Sequence, residues 1–75
     1  MKEFSSYLSI NPEIRFGKPC IKGTRIAVVD ILKWLSSSMT HAQILEDYPS
    51  LKEEDILAAL AFAANRESII KIIAA

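Results

Sequence analysis

Cysteine is almost missing from these 75 residues, and with it the disulfide framework that staples many small domains. Cys20 stands alone and cannot pair within the chain. Histidine is as scarce: His41 and Cys20 lie far apart without the paired spacing of zinc ligands, so no metal and no other cofactor is expected. No run approaches the roughly 20 apolar residues of a membrane span. Met1 to Ser9 has no apolar core of the signal-peptide kind. The expected location is therefore the cytoplasm, away from membranes, where a free thiol is at home. An excess of charge is missing too: nine Lys and Arg balance nine Asp and Glu. Nucleic-acid-binding domains usually carry a basic patch, so the balance turns attention from net charge to its distribution.

What is present is apolar, since 51% of the residues are hydrophobic. A domain of this length still buries only about 60% of the surface its unfolded chain exposes. With disulfide and metal set aside, a second copy or a protein partner is the expected source of extra stability, and a homodimer or higher oligomer is the expectation. The charges are segregated. Lys2, Arg15, Lys18, Lys22, Arg25 and Lys33 outnumber Glu3, Glu13 and Asp30 in residues 1–35, residues 36–75 reverse the ratio, and residues 14–29 hold no acid.

Residues 5–28 read as a β-rich arm of short extended pieces and turns. Leu8 and Ile10 alternate with polar residues, and Pro12, Gly17, Pro19 and Gly23 break any helix there. Ile14, Phe16, Ile21, Ile26 and Val28 are expected to cover one side of the helical part. At Val28 the period changes: Val28, Ile31, Leu32 and Leu35 follow the spacing of an amphipathic helix, which Ser36, Ser37 and Ser38 end. Thr40 with Gln43 forms a capping box for a second helix, with Met39 and Ile44 placed as a hydrophobic staple and Ile44, Leu45 and Tyr48 facing inward. Pro49 stops it. Ser50 with Glu53 predicts a second capping box, and the third helix should run from about Leu51 to about Asn65, apolar along Ile56, Leu57, Leu60, Ala61 and Ala64. Residues 29–65 thus form a three-helix unit, and residues 66–75 an apolar helical tail. The turn of about four residues between the second and third helices has helix-turn-helix spacing, which many small bundles share. The predicted fold is mainly α, a single domain over residues 1–75.

Gly17 and Gly23 do not make a phosphate loop, because the second glycine is followed by Thr24 where such a loop needs lysine. Turns with positive φ explain both. Glu53, Glu54 and Asp55 do not converge on one point as metal or acid–base carboxylates would. They suit the first turn of a helix, whose dipole favours negative charge, and there they oppose DNA phosphates. His41 reads as a solvated residue and Cys20 as a small buried hydrophobe. Trp34, beside the apolar stripe, suits core or subunit packing. No nucleophile with its base and no other catalytic set is visible, so an enzyme is not expected. The basic arm, Arg15, Lys18, Lys22 and Arg25, is the cluster that suggests function: on a glycine-containing loop it is either solvated or grips phosphates or the acidic surface of a protein. Ile69, Ile70, Ile72 and Ile73, too apolar for a solvated terminus, join Trp34 as candidates for an oligomer or partner interface.

The string Asn11-Pro12-Glu13-Ile14-Arg15-Phe16-Gly17-Lys18-Pro19-Cys20-Ile21-Lys22-Gly23-Thr24-Arg25-Ile26 resembles a bacterial family, domain of unknown function 433, also described as antitoxins of the virulence-associated type. Ile44-Leu45-Glu46-Asp47-Tyr48-Pro49-Ser50-Leu51, Asp55-Ile56 and Ala59-Leu60 match as well, so the resemblance spans about Tyr7 to Asn65. It implies a homeodomain-like helix-turn-helix fold and an antitoxin partnered by a nuclease-type toxin. Where the family usually has glycine after the first helix this chain has Ser38, and a left-handed residue there carries a Cβ penalty of roughly 1 kcal/mol, so a rebuilt turn is expected. Two function classes follow: a protein that neutralises a nuclease-type toxin and also binds its promoter DNA, or a stand-alone DNA-binding regulator with no toxin partner.

Overall fold

The change of period at Val28 divides two kinds of structure. The coordinates are a computed structural model that describes the backbone of residues 4–74 and the side chains of residues 4–65. Before Val28, β1 (Leu8–Ser9) and β2 (Cys20–Ile21) pair antiparallel, Leu8 opposite Ile21 and Ser9 opposite Cys20. From Val28 onward come α1 (Val28–Ser36), α2 (His41–Asp47) and α3 (Glu53–Ala74). The arm also holds two single 3-10 turns, Phe4–Tyr7 and Arg15–Gly17, which corrects the expectation of no helix there. A 3-10 turn needs only three or four residues, so breakers that forbid a long helix leave room for it.

Local chemistry sets each boundary. Asp30 reaches back to accept the Ala27 N–H (3.0 Å), opening α1. At its other end Met39 N–H bonds the Trp34 carbonyl (3.1 Å) and Ser38 N–H the Leu35 carbonyl (3.1 Å), the paired bonds of a Schellman motif. Ser38 holds the left-handed position at φ +72°, so the turn expected to be rebuilt is kept with serine in it. The Thr40–Gln43 box closes as predicted, with Gln43 N–H to Thr40 Oγ1 (3.1 Å) and Thr40 N–H to Gln43 Oε1 (2.8 Å). The third start differs. Ser50 does not cap; Leu51 is drawn into the core, its N–H on the Tyr48 carbonyl (2.9 Å), and α3 opens with Asp55 accepting the Lys52 N–H (2.9 Å). Burial of Leu51 thus moves the helix start past the Ser50–Glu53 pair.

Ile21, Val28, Ile31, Ile44, Leu51, Ile56 and Ala59 form the core, with Met39, Leu45, Tyr48 and Phe62 packed against it. Phe4 meets Phe62 edge to face, ring centroids 6.3 Å apart, so the first 3-10 turn sits on α3. Two expectations fail here. Phe16 covers nothing and is 97% exposed. Among the described residues of α3 the buried ones are Ile56, Ala58 and Ala59, while Leu57 and Leu60 of the predicted stripe remain exposed and Ala64 faces outward. Ile56 of the stripe is buried as expected, and Ala59 joins it in the core cluster with Val28, Ile31 and Ile44 in place of Leu57 and Leu60. The helix continues through the apolar tail to Ala74, as expected. Among the described residues no helix is long and apolar enough to cross a membrane.

Candidate partner-binding site

Two glycine turns carry the basic residues. Residues 22–25 link Ile21 to Ile26, whose backbones bond (2.8 Å), and Gly23 at φ +81° lets the chain reverse. Thr24 locks the turn: its hydroxyl donates to the Ile21 carbonyl (2.9 Å) and accepts the Ile26 N–H (3.0 Å). The Lys-Gly-Thr-Arg string is therefore a unit in which glycine bends, threonine ties, and Lys22 and Arg25 are displayed to solvent. The second turn, Arg15–Gly17, is left-handed throughout, with φ of +52°, +60° and +82°. Only one of its three residues is glycine. For L-residues that conformation costs about 1–2 kcal/mol each, so something must hold it.

Arg15 holds it. Its Nη1 donates to Asp30 Oδ2 (2.8 Å) and to the Arg25 carbonyl (2.8 Å), and its Nη2 lies 3.4 Å from Asp30 Oδ1. One guanidinium thereby fastens both turns to the start of α1. The hydrogen bond from Arg15 holds the Asp30 carboxyl below the usual carboxylate range, against the opposing effect of burial, and the Ala27 N–H adds to it. Arg15 is raised in turn by the same bond. The basic arm is thus a clamped pair of turns, and Arg15 is its fastener and not one of its free cations. Asp30, one residue beyond the acid-free segment, was legible as an acid in the first turn of α1 preceded by Ala27, which has no capping side chain.

Lys18, Lys22 and Arg25 remain exposed, and among the described residues no ion pair or hydrogen bond engages their side chains. Trp34, expected at an interface, is part-buried and stacks on Tyr48 of the same chain, centroids 4.1 Å apart and rings 11° from parallel. Ile69, Ile70, Ile72 and Ile73 lie outside the residues whose side chains are described. His41 is not simply solvated: its Nδ1 lies 2.7 Å from Glu53 Oε2, joining the starts of α2 and α3. Cys20 is buried and free, its thiol 3.3 Å from the Lys18 carbonyl. Among the described residues no group of three or more His, Cys, Asp or Glu could hold a metal.

Comparison with known proteins gives the family. No protein of curated function matches the chain. Among solved structures, the crystal structure of a DUF433 member protein from Anabaena variabilis is similar: 30% identity, TM-score 0.75, covering 92% of this chain and 69% of the other. The family model described as "Protein of unknown function (DUF433)" matches residues 8–63. That match takes in both glycine turns, the Asp30 anchor and the three helix starts, and the chain belongs to the DUF433 family.

Proposed function

We propose that this chain is an antitoxin-like binding protein. It binds a nuclease-type toxin in the cytoplasm and neutralises it, and it binds the DNA of its own promoter through the same cations. The observation that carries the reading is the clamped trio Lys18, Lys22 and Arg25, displayed on two turns that Arg15 fastens to Asp30. A metal-dependent nuclease presents carboxylates at its centre, and cations offered from a rigid base meet them with little loss of conformational freedom. The inhibition needs no chemistry in this chain, and none is assigned to it. Growth rescue tests the reading: the neighbouring gene product should arrest growth alone, and this chain should lift the arrest and co-purify with it. A harmless neighbour that does not associate at micromolar concentration removes the toxin reading.

The stand-alone regulator is the second reading. It rests on the adjacent helices α2 and α3, although the five residues between them, 48–52, are one more than the expected four and exceed the three or four of a helix-turn-helix unit. Weighing against a homeodomain-like recognition helix, α3 opens on exposed Glu53 and Glu54, which repel phosphate. Self-association accompanies either reading, and exposed Leu57 and Leu60 on α3 support it beside the isoleucine tail.

A further inference from the structure

Phe16 is the most exposed large hydrophobic residue among those described, 97% accessible. It sits in the middle of the left-handed turn at φ +60°, a conformation that glycine would adopt without strain. The turn is held by the Arg15 clamp, so the strain is maintained by a dedicated contact and the ring is what it displays. Such strain concentrates at functional sites. Two exposed cations are linked to it through the backbone. Lys18 is two residues on, and Arg25 is tied by its carbonyl to Arg15, the residue just before Phe16.

We infer that Phe16 is the anchor of the partner interface, seated in an apolar pocket of another protein whose rim carries carboxylates for Lys18 and Arg25. The inference rests on the toxin-binding reading and names the contact through which it works. An aromatic anchor in a pocket, ringed by charges that set orientation, is the usual arrangement of an energetic hot spot. A second copy fits less well. The chain has an apolar hollow of about 280 Å³ lined by Phe4, Leu8, Ile10, Pro19 and Phe62 with Ser5 and Ser9, and among the described residues no carboxylate lines its wall to meet the cations. As the seat for the Phe16 ring nucleic acid fits less well than a protein pocket, because the chain has a pI of about 6.6 where domains that rely on nucleic acid alone are strongly basic.

Calorimetric titration with the purified product of the neighbouring gene tests the anchor, using wild type, Phe16→Ala, Phe16→Leu and the double variant Lys18→Ala, Arg25→Ala. Phe16→Ala should weaken binding by roughly thirty-fold or more, Phe16→Leu should recover part of it, and the double variant should bind more weakly at low salt than at high salt relative to wild type. Because the ring is exposed, Phe16→Ala should still fold, which circular dichroism checks. If wild type binds and Phe16→Ala binds equally well, the anchor is overturned and the toxin reading stands. If wild type does not bind, both fail. If Phe16→Ala instead abolishes dimerisation or binding to a 20-base single-stranded DNA while affinity for the neighbour is unchanged, the ring belongs to that contact and the inference is overturned.

Discussion

At Phe16 the side chain and the backbone oppose each other: a phenyl ring that burial would favour is held in solvent by a backbone that disfavours any side chain. Replacing it with glycine removes left-handed strain of about 1–2 kcal/mol and adds about 0.5–1 kcal/mol of unfolded-state entropy. Phe16→Gly should therefore be somewhat more stable than wild type, its thermal midpoint a few degrees higher by calorimetry. A drop would show that the ring supports the fold. Asp30 is the opposite case. Asp30→Ala loses two charge-assisted contacts, to Arg15 and to the Ala27 N–H, and should cost about 1–3 kcal/mol in urea melts. The pair also carries a pH dependence. The folded-state carboxyl is held below its ordinary range, so its contribution is complete above that range and is lost as pH falls through the lower folded value. As pH falls through and below the ordinary carboxylate range, Asp30→Asn should therefore lose less stability than wild type. Equal losses would mean that Asp30 gains nothing from Arg15. Asp30 was legible in sequence as an acid in the first turn of α1, but its pairing with Arg15 was not, since Arg15 is one basic residue among four and lies 15 residues away.

The helices were largely legible, because caps and apolar periods are local. Val28, Ile31 and the Thr40–Gln43 box are where the pattern placed them. Thr40→Ala should cost about 0.5–2 kcal/mol by urea melt, and no loss would mean that the box is idle. What failed depended on tertiary packing. Leu51 entered the core and displaced the third start, and Ile56 with Ala59 took the buried face that Leu57 and Leu60 were expected to share. Ser38 was legible as a departure from the family's glycine, but its outcome was not, since the Met39 and Ser38 bonds to Trp34 and Leu35 hold the left-handed turn in spite of the Cβ. Ser38→Gly should accordingly raise the thermal midpoint by a few degrees, as relief of about 1–2 kcal/mol of strain outweighs the entropy of glycine. An unchanged or lower midpoint would mean that serine is at ease there. The exposed Leu57 and Leu60 predict self-association. Light scattering on a size-exclusion column should show a dimer or larger at tens of micromolar, shifted toward monomer by Leu57→Glu with Leu60→Glu.

For the whole molecule, zero net charge conceals a basic surface made of two clamped turns and an acidic first turn of α3. That segregation was readable from the positions of Lys18, Lys22, Arg25, Glu53 and Glu54. The clamp that makes the basic surface rigid was not, since it depends on a side chain meeting a carbonyl ten residues away. The central claim is that this surface holds an acidic protein partner. Titration of the chain with the purified product of the adjacent gene, at low and high salt, tests it most directly. Micromolar or tighter binding is expected, weakening as salt rises and lost in the triple variant Lys18→Glu, Lys22→Glu, Arg25→Glu. Binding that is indifferent to both salt and the triple variant, or no binding at tens of micromolar, would contradict it.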